Sequence, residues 1–451
     1  MGKRPDILLI LTDQQSSTMM SCADNEYLQT PAMDSLAASG MRFDRAYCTN
    51  PVCIPSRFSL MTGLMPSQIA LRSNDASHID KIPAPITKKG IGWLFRDAGY
   101  DVAYGGKGHL PKMRPQDIGF DYICGDERND LPFACSRYIE APRQKPFFLV
   151  ASFINPHDIC FMGIRDFAET NRETECVKNG TVQLATLDEA LRLPENTSRE
   201  DFLKHYCPPL PSNFEIQQDE PEILGTLMPE WPCRMKCRER WSEERWRLYR
   251  WAYCKLTEIV DTQIATTCNA LRQSGKEEDT VVIFSSDHGD MNSAHRLITK
   301  TAFYEESTRV PLIVCQPGTT PAGTVTSRLV SNGLDIVPTL CDYAGIESPA
   351  NLEGMSLRPL AEGHRLESHR SFIPVENECG KMIITSRYKY MLHDSGKNRE
   401  QFIDLQEDAG EMRNAVSDPT HLDVLQEHRQ IFHDYFGSEE SAAGDAVNPQ
   451  G

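Results

Sequence analysis

Apolar residues along this chain are bunched into short unbroken runs. Asp6-Ile7-Leu8-Leu9-Ile10-Leu11-Thr12, Pro146-Phe147-Phe148-Leu149-Val150-Ala151-Ser152-Phe153 and Thr280-Val281-Val282-Ile283-Phe284-Ser285-Ser286 are the clearest. Runs of this length, rich in branched and aromatic side chains, read as strands buried on both faces of a parallel sheet. A fourth strand is predicted over Tyr100 to Tyr104. Between the strands, Thr30-Pro31 opens a helix that Gly40 closes, a second helix runs from Lys89 to Ala98 before Gly99, and a long one from about Glu243 to Ser274. Capping residue and proline at the start, glycine at the end, are the expected helix signals. The alternation predicts an α/β fold: a large mixed, mainly parallel sheet sandwiched by helices.

Two regions depart from that pattern. Residues 160–242 mix prolines, acids and tryptophans without a clear period, and are predicted to be an irregular insertion near the active site that governs substrate choice. Residues 368–437 carry short alternating segments, such as Lys381 to Ser386 and Tyr388 to Leu392, which predict a small C-terminal antiparallel α+β subdomain. The expected organisation is therefore a catalytic domain over 1–367, the subdomain over 368–437, and a frayed tail over 438–451.

Composition narrows the functional classes. With 40% hydrophobic and 25% charged residues the chain has a globular composition, and a net charge of -17 argues against nucleic acid or an anionic membrane as partner. No apolar run is long enough to span a bilayer. A strand begins so early that no signal peptide fits before it, which predicts a cytoplasmic protein as written, or a secreted or periplasmic one if a leader has been removed. The fifteen cysteines are odd in number and scattered, so they read as buried thiols and not as a disulfide framework. Cys233 and Cys237 have helical spacing but no second pair to complete a zinc set, and also read as buried thiols.

The predicted strands end in titratable residues: Asp13, the segment Gly105-Gly106-Lys107-Gly108-His109, the segment Asn155-Pro156-His157-Asp158, and Asp287-His288-Gly289-Asp290. Carboxyl ends of strands are where open α/β sheets bind ligands. In Cys53-Ile54-Pro55-Ser56-Arg57 the early proline puts Cys53 at a helix N-terminus, a site that favours an anion, although a lone cysteine in such a turn is more often structural. There is no Gly-x-Ser-x-Gly elbow, and Gly108 follows Lys107 where a nucleotide-binding loop needs Ser or Thr.

The Cys-x-Pro-Ser-Arg segment resembles the signature of the formylglycine-dependent sulfatases, a family of the alkaline-phosphatase-like superfamily. Asp13, Gly106 to His109, Pro156-His157, Asp287 to Asp290, His295 to Lys300, Phe303 to Pro311, Phe402 to Leu405 and Glu411 to Asn414 follow the family's order, so the resemblance covers all but residues 160–242. It implies an alkaline-phosphatase-like fold, and a Cys53 that a maturation enzyme oxidises to formylglycine, whose hydrated aldehyde attacks sulfur. It implies a divalent metal held by Asp13, Gln14, residue 53, Asp287 and His288. The family commonly has an aspartate where this chain has Gln14 and an asparagine where it has His288. Oxygen donors favour calcium, while the imidazole brings manganese or zinc into range. The resemblance assigns Arg57 and Lys107 to holding the formylglycine and its charge, and His109 to the base that releases sulfate. His157 and Lys300 would bind the sulfate and protonate the leaving oxygen. His295 either contacts substrate or fills a loop, and Arg72 and Asn74 are candidates for lining the pocket; Trp231, Trp241, Trp246 and Trp251 either stack on sugar rings or pack in the core or an interface.

The expected activity is thus hydrolysis of a sulfate ester on a small sulfated carbohydrate, since strong net acidity repels a long polysulfated chain. Two alternatives stand beside it: a phosphonate monoester or phosphodiester hydrolase of the same superfamily, and a non-catalytic anion-binding protein whose Cys53 is never converted.

Overall fold

The computed structural model describes residues 4–88, 90–226, 231–365 and 370–445. The predicted helix start at Lys89, the predicted boundary at residues 367 and 368, and the last six residues of the predicted tail lie outside the described residues. Nine strands form the main sheet: β1 (Asp6–Asp13), β2 (Met41–Tyr47), β3 (Asp101–Gly106), β4 (Asp121–Cys124), β5 (Phe147–Pro156), β6 (Thr280–Ser286), β7 (Arg309–Val310), β8 (Leu312–Cys315) and β9 (Thr324–Ser331). Their order is β4-β3-β5-β1-β6-β8-β2-β7, with β9 pairing β2. From β4 to β6 every pairing is parallel, whereas β8 is antiparallel to β6 and to β2.

The apolar runs explain the centre of this sheet. On β1, Ile7, Leu9 and Leu11 enter one core with Phe148, Val150 and Ile283, while Leu8 and Ile10 enter the opposite core with Leu149, Ala151 and Phe284. Each such side chain contributes about 1.5–3 kcal/mol by leaving water, so a strand with no polar face is stable only between two helical layers. Helix α1 (Pro31–Ser39) covers one face, and its first N–H groups at Ala32 and Met33 donate to the Asp261 carboxylate at 3.0 and 2.9 Å. Asp261 belongs to the long helix Glu243–Gln273, so one buried acid caps one helix and ties it to another. Helix α2 (Cys53–Thr62) lies on the other face against the helix Asn332–Ala344. The two approach closely at Gly333, where a Cβ would sit 2.9 Å from Ser59 Cβ on α2.

A second sheet holds β10 (Ile373–Asn377), β11 (Gly380–Ile384), β12 (Tyr388–His393) and β13 (Glu400–Asp404), all antiparallel in chain order. A last helix, Leu422–Asp445, continues past Gly437, where the sequence predicts fraying. Residues 160–242 are not irregular: they hold helices over Cys160–Phe167, Asn171–Asn179, Thr181–Ala190, Arg199–His205, Ile223–Thr226 and Cys233–Arg240. Asn171–Asn179 buries Glu173 alone and Arg199–His205 buries Phe202 alone, so neither shows an apolar stripe. Among the described residues no helix is long and apolar enough to cross a membrane, and all fifteen cysteines are free thiols.

Candidate active site

Four adjacent parallel strands, β3-β5-β1-β6, end on one edge of the sheet and there deliver Lys107, His157, Asp13 and Asp287. Helix α2 begins at the same edge with Cys53, 1% exposed, and Asn74 caps it by accepting from Ile54 N at 2.9 Å. Asn74 therefore supports the helix that carries Cys53 and also lines the cavity above it.

Cys53 Sγ lies 2.8 Å from Lys300 Nζ, 3.2 Å from His288 Nε2 and 3.8 Å from Asp13 Oδ1. Burial alone would raise the thiol's pKa, but Lys300, Lys107 and His288 hold it well below its ordinary value. Ligand atoms of Asp13, Cys53, Asp287 and His288 all fall within 4.8 Å of one another, and all four residues are buried.

Arg57 holds the two carboxylates together. Its Nη2 donates to Asp13 Oδ2 and its Nε to Asp287 Oδ2, both at 2.8 Å, while Nη1 donates to Ser152 Oγ at 2.8 Å and to Lys107 O at 3.0 Å. Lys107 Nζ adds a second cation on Asp13 Oδ2 at 2.6 Å. Burial pushes Asp13 upward, yet Lys107, His157 and Arg57 keep it ionised, whereas burial and the neighbouring Asp13 push Asp287 up. Gly106 makes the turn into Lys107 possible: its φ is +84°, and a Cβ there would lie 2.1 Å from Ser152 O.

His109, the predicted base, is exposed and has φ +43°. His157 is partly exposed, 4.0 Å from Asp13 through Nε2, and burial with Lys107 and Lys300 lowers its pKa to about 4. Gln14 donates through its backbone N to Asp287 Oδ1 at 3.0 Å, while its carboxamide binds Asp290 Oδ2 at 2.7 Å and the Cys160 thiol at 3.2 Å. Lys300 sits on a stretch of unusual backbone, with φ +64° at Thr299 and +95° at Thr301. That stretch is clamped: Thr301 N donates to Pro51 O at 3.1 Å, Asn377 Nδ2 donates to Thr301 O, and fully buried Lys389 on β12 donates to Phe303 O at 3.0 Å while pairing with Glu305 and Glu411 at 2.8 Å each.

Other candidates have structural places. His295 is fully buried and stacks on Tyr304 at 3.8 Å. Arg72 binds the carbonyls of Asn377 and Gly380 at 2.7 and 3.0 Å and so holds the β10–β11 turn. Trp246 and Trp251 are core residues and Trp241 packs edge-on against Trp246, but Trp231 lines a cavity of about 830 Å³ that opens over His157 and Lys300. Sequence reasoning missed Ser152, which positions Arg57, and Tyr249, which with Asp290 holds Gln14; Ser152 sits in an apolar run and Tyr249 on a helix with no motif.

A thiol-bearing helix N-terminus faces paired carboxylates at the carboxyl edge of a helix-sandwiched sheet, in an alkaline-phosphatase-like fold. The sulfatase family model matches residues 5–346, and the model for the C-terminal part of N-sulphoglucosamine sulphohydrolase matches residues 293–435. The chain belongs to the sulfatase family, whose members are sulfuric ester hydrolases. It is 29% identical to a Delta 4,5-hexuronate-2-O-sulfatase of Bacteroides thetaiotaomicron over 96% of this chain and 89% of the relative. A putative sulfatase structure from the same organism superposes with a TM-score of 0.77 at 28% identity, covering 97% and 93% of the two chains. A phosphonate monoester hydrolase of Agrobacterium radiobacter shares the fold, with a TM-score of 0.75 at 21% identity over 97% and 96%.

Proposed function

We propose that the chain hydrolyses a sulfate ester of a small sulfated carbohydrate, R–O–SO3⁻ and water giving R–OH and hydrogen sulfate, with residue 53 as the nucleophile after its conversion to formylglycine by a maturation enzyme. What carries most weight is the packing of Cys53, at the head of α2, against Asp13, Asp287, His288 and Lys300. The saccharide class is supported by the hexuronate sulfatase to which the chain is similar and by an indole, Trp231, on the cavity wall.

These residues fit a divalent metal. Two carboxylates offer oxygens, and His288 Nδ1 is engaged by Gly289 O at 2.9 Å, which leaves Nε2 as the donor facing the cluster. Calcium suits the oxygens, with manganese or zinc admitted by the imidazole; Gln14 is the further ligand we assign. When bound, the metal polarises the sulfuryl group and the formylglycine supplies the attacking oxygen. The remaining work falls to side chains. Lys107 and Lys300 neutralise charge on the sulfuryl oxygens, and Arg57 keeps Asp13 and Asp287 oriented. Lys300, kept protonated, and His157, largely neutral, together bind the departing alkoxide oxygen and supply its proton, and His109 withdraws one at residue 53.

The test is a mass spectrum of the peptide containing residue 53, from protein produced together with a maturation enzyme, followed by ion chromatography of products from sulfated sugars. Conversion with sulfate release is expected. Conversion with turnover only on phosphonate monoesters or phosphodiesters favours the first alternative, and an unmodified cysteine with ligand binding but no turnover favours the anion-binding one.

A further inference from the structure

A chain of net charge -17 nevertheless builds a basic wall beside its nucleophile. Arg172, Arg234 and Trp231, all from the helical segment 160–242, line the cavity that contains His157 and Lys300. Its carboxylates Asp75 and Glu378 come instead from the loop after α2 and the β10–β11 turn, and Asp158 is held by Arg128 at 2.6 and 3.2 Å. Among the described residues, segment 160–242 therefore brings Arg172 and Arg234 to the lining and no carboxylate, while Lys300 and Arg128 come from other elements.

That segment is built to keep its shape. Arg172 stands over the Trp231 ring with its Cζ 4.7 Å from the centroid. Glu173, the next residue, is fully buried and accepts three backbone N–H groups: Cys233 at 2.9 Å on one oxygen, and Glu169 and Thr170 at 2.9 and 3.1 Å on the other. One carboxylate thus ties the start of the helix bearing Arg172 to the start of the helix bearing Arg234. Two long side chains are held on a common frame, which lowers the ordering cost of using both on one ligand.

We propose that Arg172 and Arg234, with Trp231 as the ring platform, recognise a second anionic group on the saccharide, distinct from the sulfate that is cleaved. The guanidinium fork matches a carboxylate or a sulfate, and the indole offers an apolar face to a pyranose. The shared chemistry has two sources, the carboxylate of a hexuronate or an additional sulfate on a hexosamine. The proposal rests on the sulfatase assignment for the bond broken, but not for the binding itself.

Two substrate pairs separate these sources: a 2-O-sulfated unsaturated hexuronate disaccharide against its carboxyl-reduced form, and glucosamine 2-N,6-O-disulfate against glucosamine 6-O-sulfate. In Arg172→Ala and Arg234→Ala the KM for the more anionic member of one pair rises about ten- to a hundredfold more than for its partner, the scale of one charge-assisted hydrogen bond, with kcat little moved. Arg172 is exposed, so its truncation spares the core, and Trp231→Ala weakens binding of both members alike. Calorimetric titration of the same sugars into full-length Cys53→Ala protein reads the preference without turnover. Hydrolysis of 4-nitrophenyl sulfate by the unsubstituted protein reports the sulfatase chemistry separately. Equal losses on both members of both pairs, or no loss, together with no calorimetric preference for the more anionic sugar, overturn the proposal even where 4-nitrophenyl sulfate is hydrolysed. A calorimetric preference that Arg172→Ala abolishes sustains it even where nothing is hydrolysed.

Discussion

Replacing Arg57 by alanine tests whether that residue is the counter-charge that lets two acids share a dry site. Asp13 and Asp287 are fully buried, and their ligand oxygens come within 4.8 Å of each other. At that separation two unit charges repel by about 3.5 kcal/mol for an effective dielectric of 20. Arg57 offsets this with one hydrogen bond to each carboxylate, and removing one partner of a buried ion pair costs about 3–5 kcal/mol. A chain of 451 residues has an unfolding entropy near 0.95 kcal/mol/K on the usual per-residue scale, so the loss corresponds to a fall in Tm of about 3–5 °C if the chain melts as one unit. Scanning calorimetry in chelator should show it. Millimolar calcium or manganese should then raise the Tm of Arg57→Ala by more than it raises that of the unsubstituted protein, because a dication supplies the missing positive charge. A loss under about 1 kcal/mol in chelator, or one that a divalent cation leaves unchanged, would refute the assignment of Arg57 as counter-charge to a metal pair.

Further outcomes follow from named contacts. Cys53→Ala abolishes sulfate release and leaves far-ultraviolet dichroism unchanged, and Lys300→Ala lowers kcat about 10²–10³-fold, the usual loss of one charge-stabilising donor, as read by ion chromatography. Gly289→Ala places a Cβ 2.0 Å from Glu306 O, so it lowers Tm and activity together, by about 1–3 kcal/mol in stability. Burial pushes the Asp261 carboxyl up to about 6, against its acceptance of two N–H groups from α1. A raised carboxyl pKa means the folded state binds the proton more tightly, so this group's contribution is fullest below about pH 4 and is lost as pH rises through 6. Relative to Asp261→Asn, the unsubstituted protein is therefore more stable at pH 5 than at pH 7, measured by paired melts; a gap that widens in its favour as pH rises contradicts this.

What could be read from the sequence was whatever depends on burial from two sides. The runs at Asp6, Pro146 and Thr280 give strands within three residues of their observed ends, because a strand packed between two helical layers has no polar position to blur it. Their carboxyl ends then locate Asp13, His157 and Asp287 together. By contrast β2 carries Arg42, Asp44 and Arg45 on a part-exposed face, and its pairing with β8 and β9 depends on distant chain. Segment 160–242 hides its helices for another reason: Asn171–Asn179 is fixed by the Thr170 and Glu173 capping box and by one buried carboxylate, contacts that leave no periodic trace. At His295 the sequence leaves two readings open, a substrate contact or a loop filler, and the structure takes the second. Its place in a motif-rich loop allows substrate contact, but its ring is stacked in the interior and its pKa lowered to about 3 by burial.

The clamp around Lys300 has a consequence in time. Asn377 and Lys389 secure Thr301 and Phe303, so the last lysine to reach residue 53 is fixed only after the second sheet has been synthesised and has docked. Cys53 leaves the ribosome far earlier, and in the finished molecule it is 1% exposed. Under the conversion proposed above, the oxidising enzyme therefore has to reach Cys53 before the fold closes over α2, and the clamp on Lys300 is completed last, when β10 to β12 fall into place.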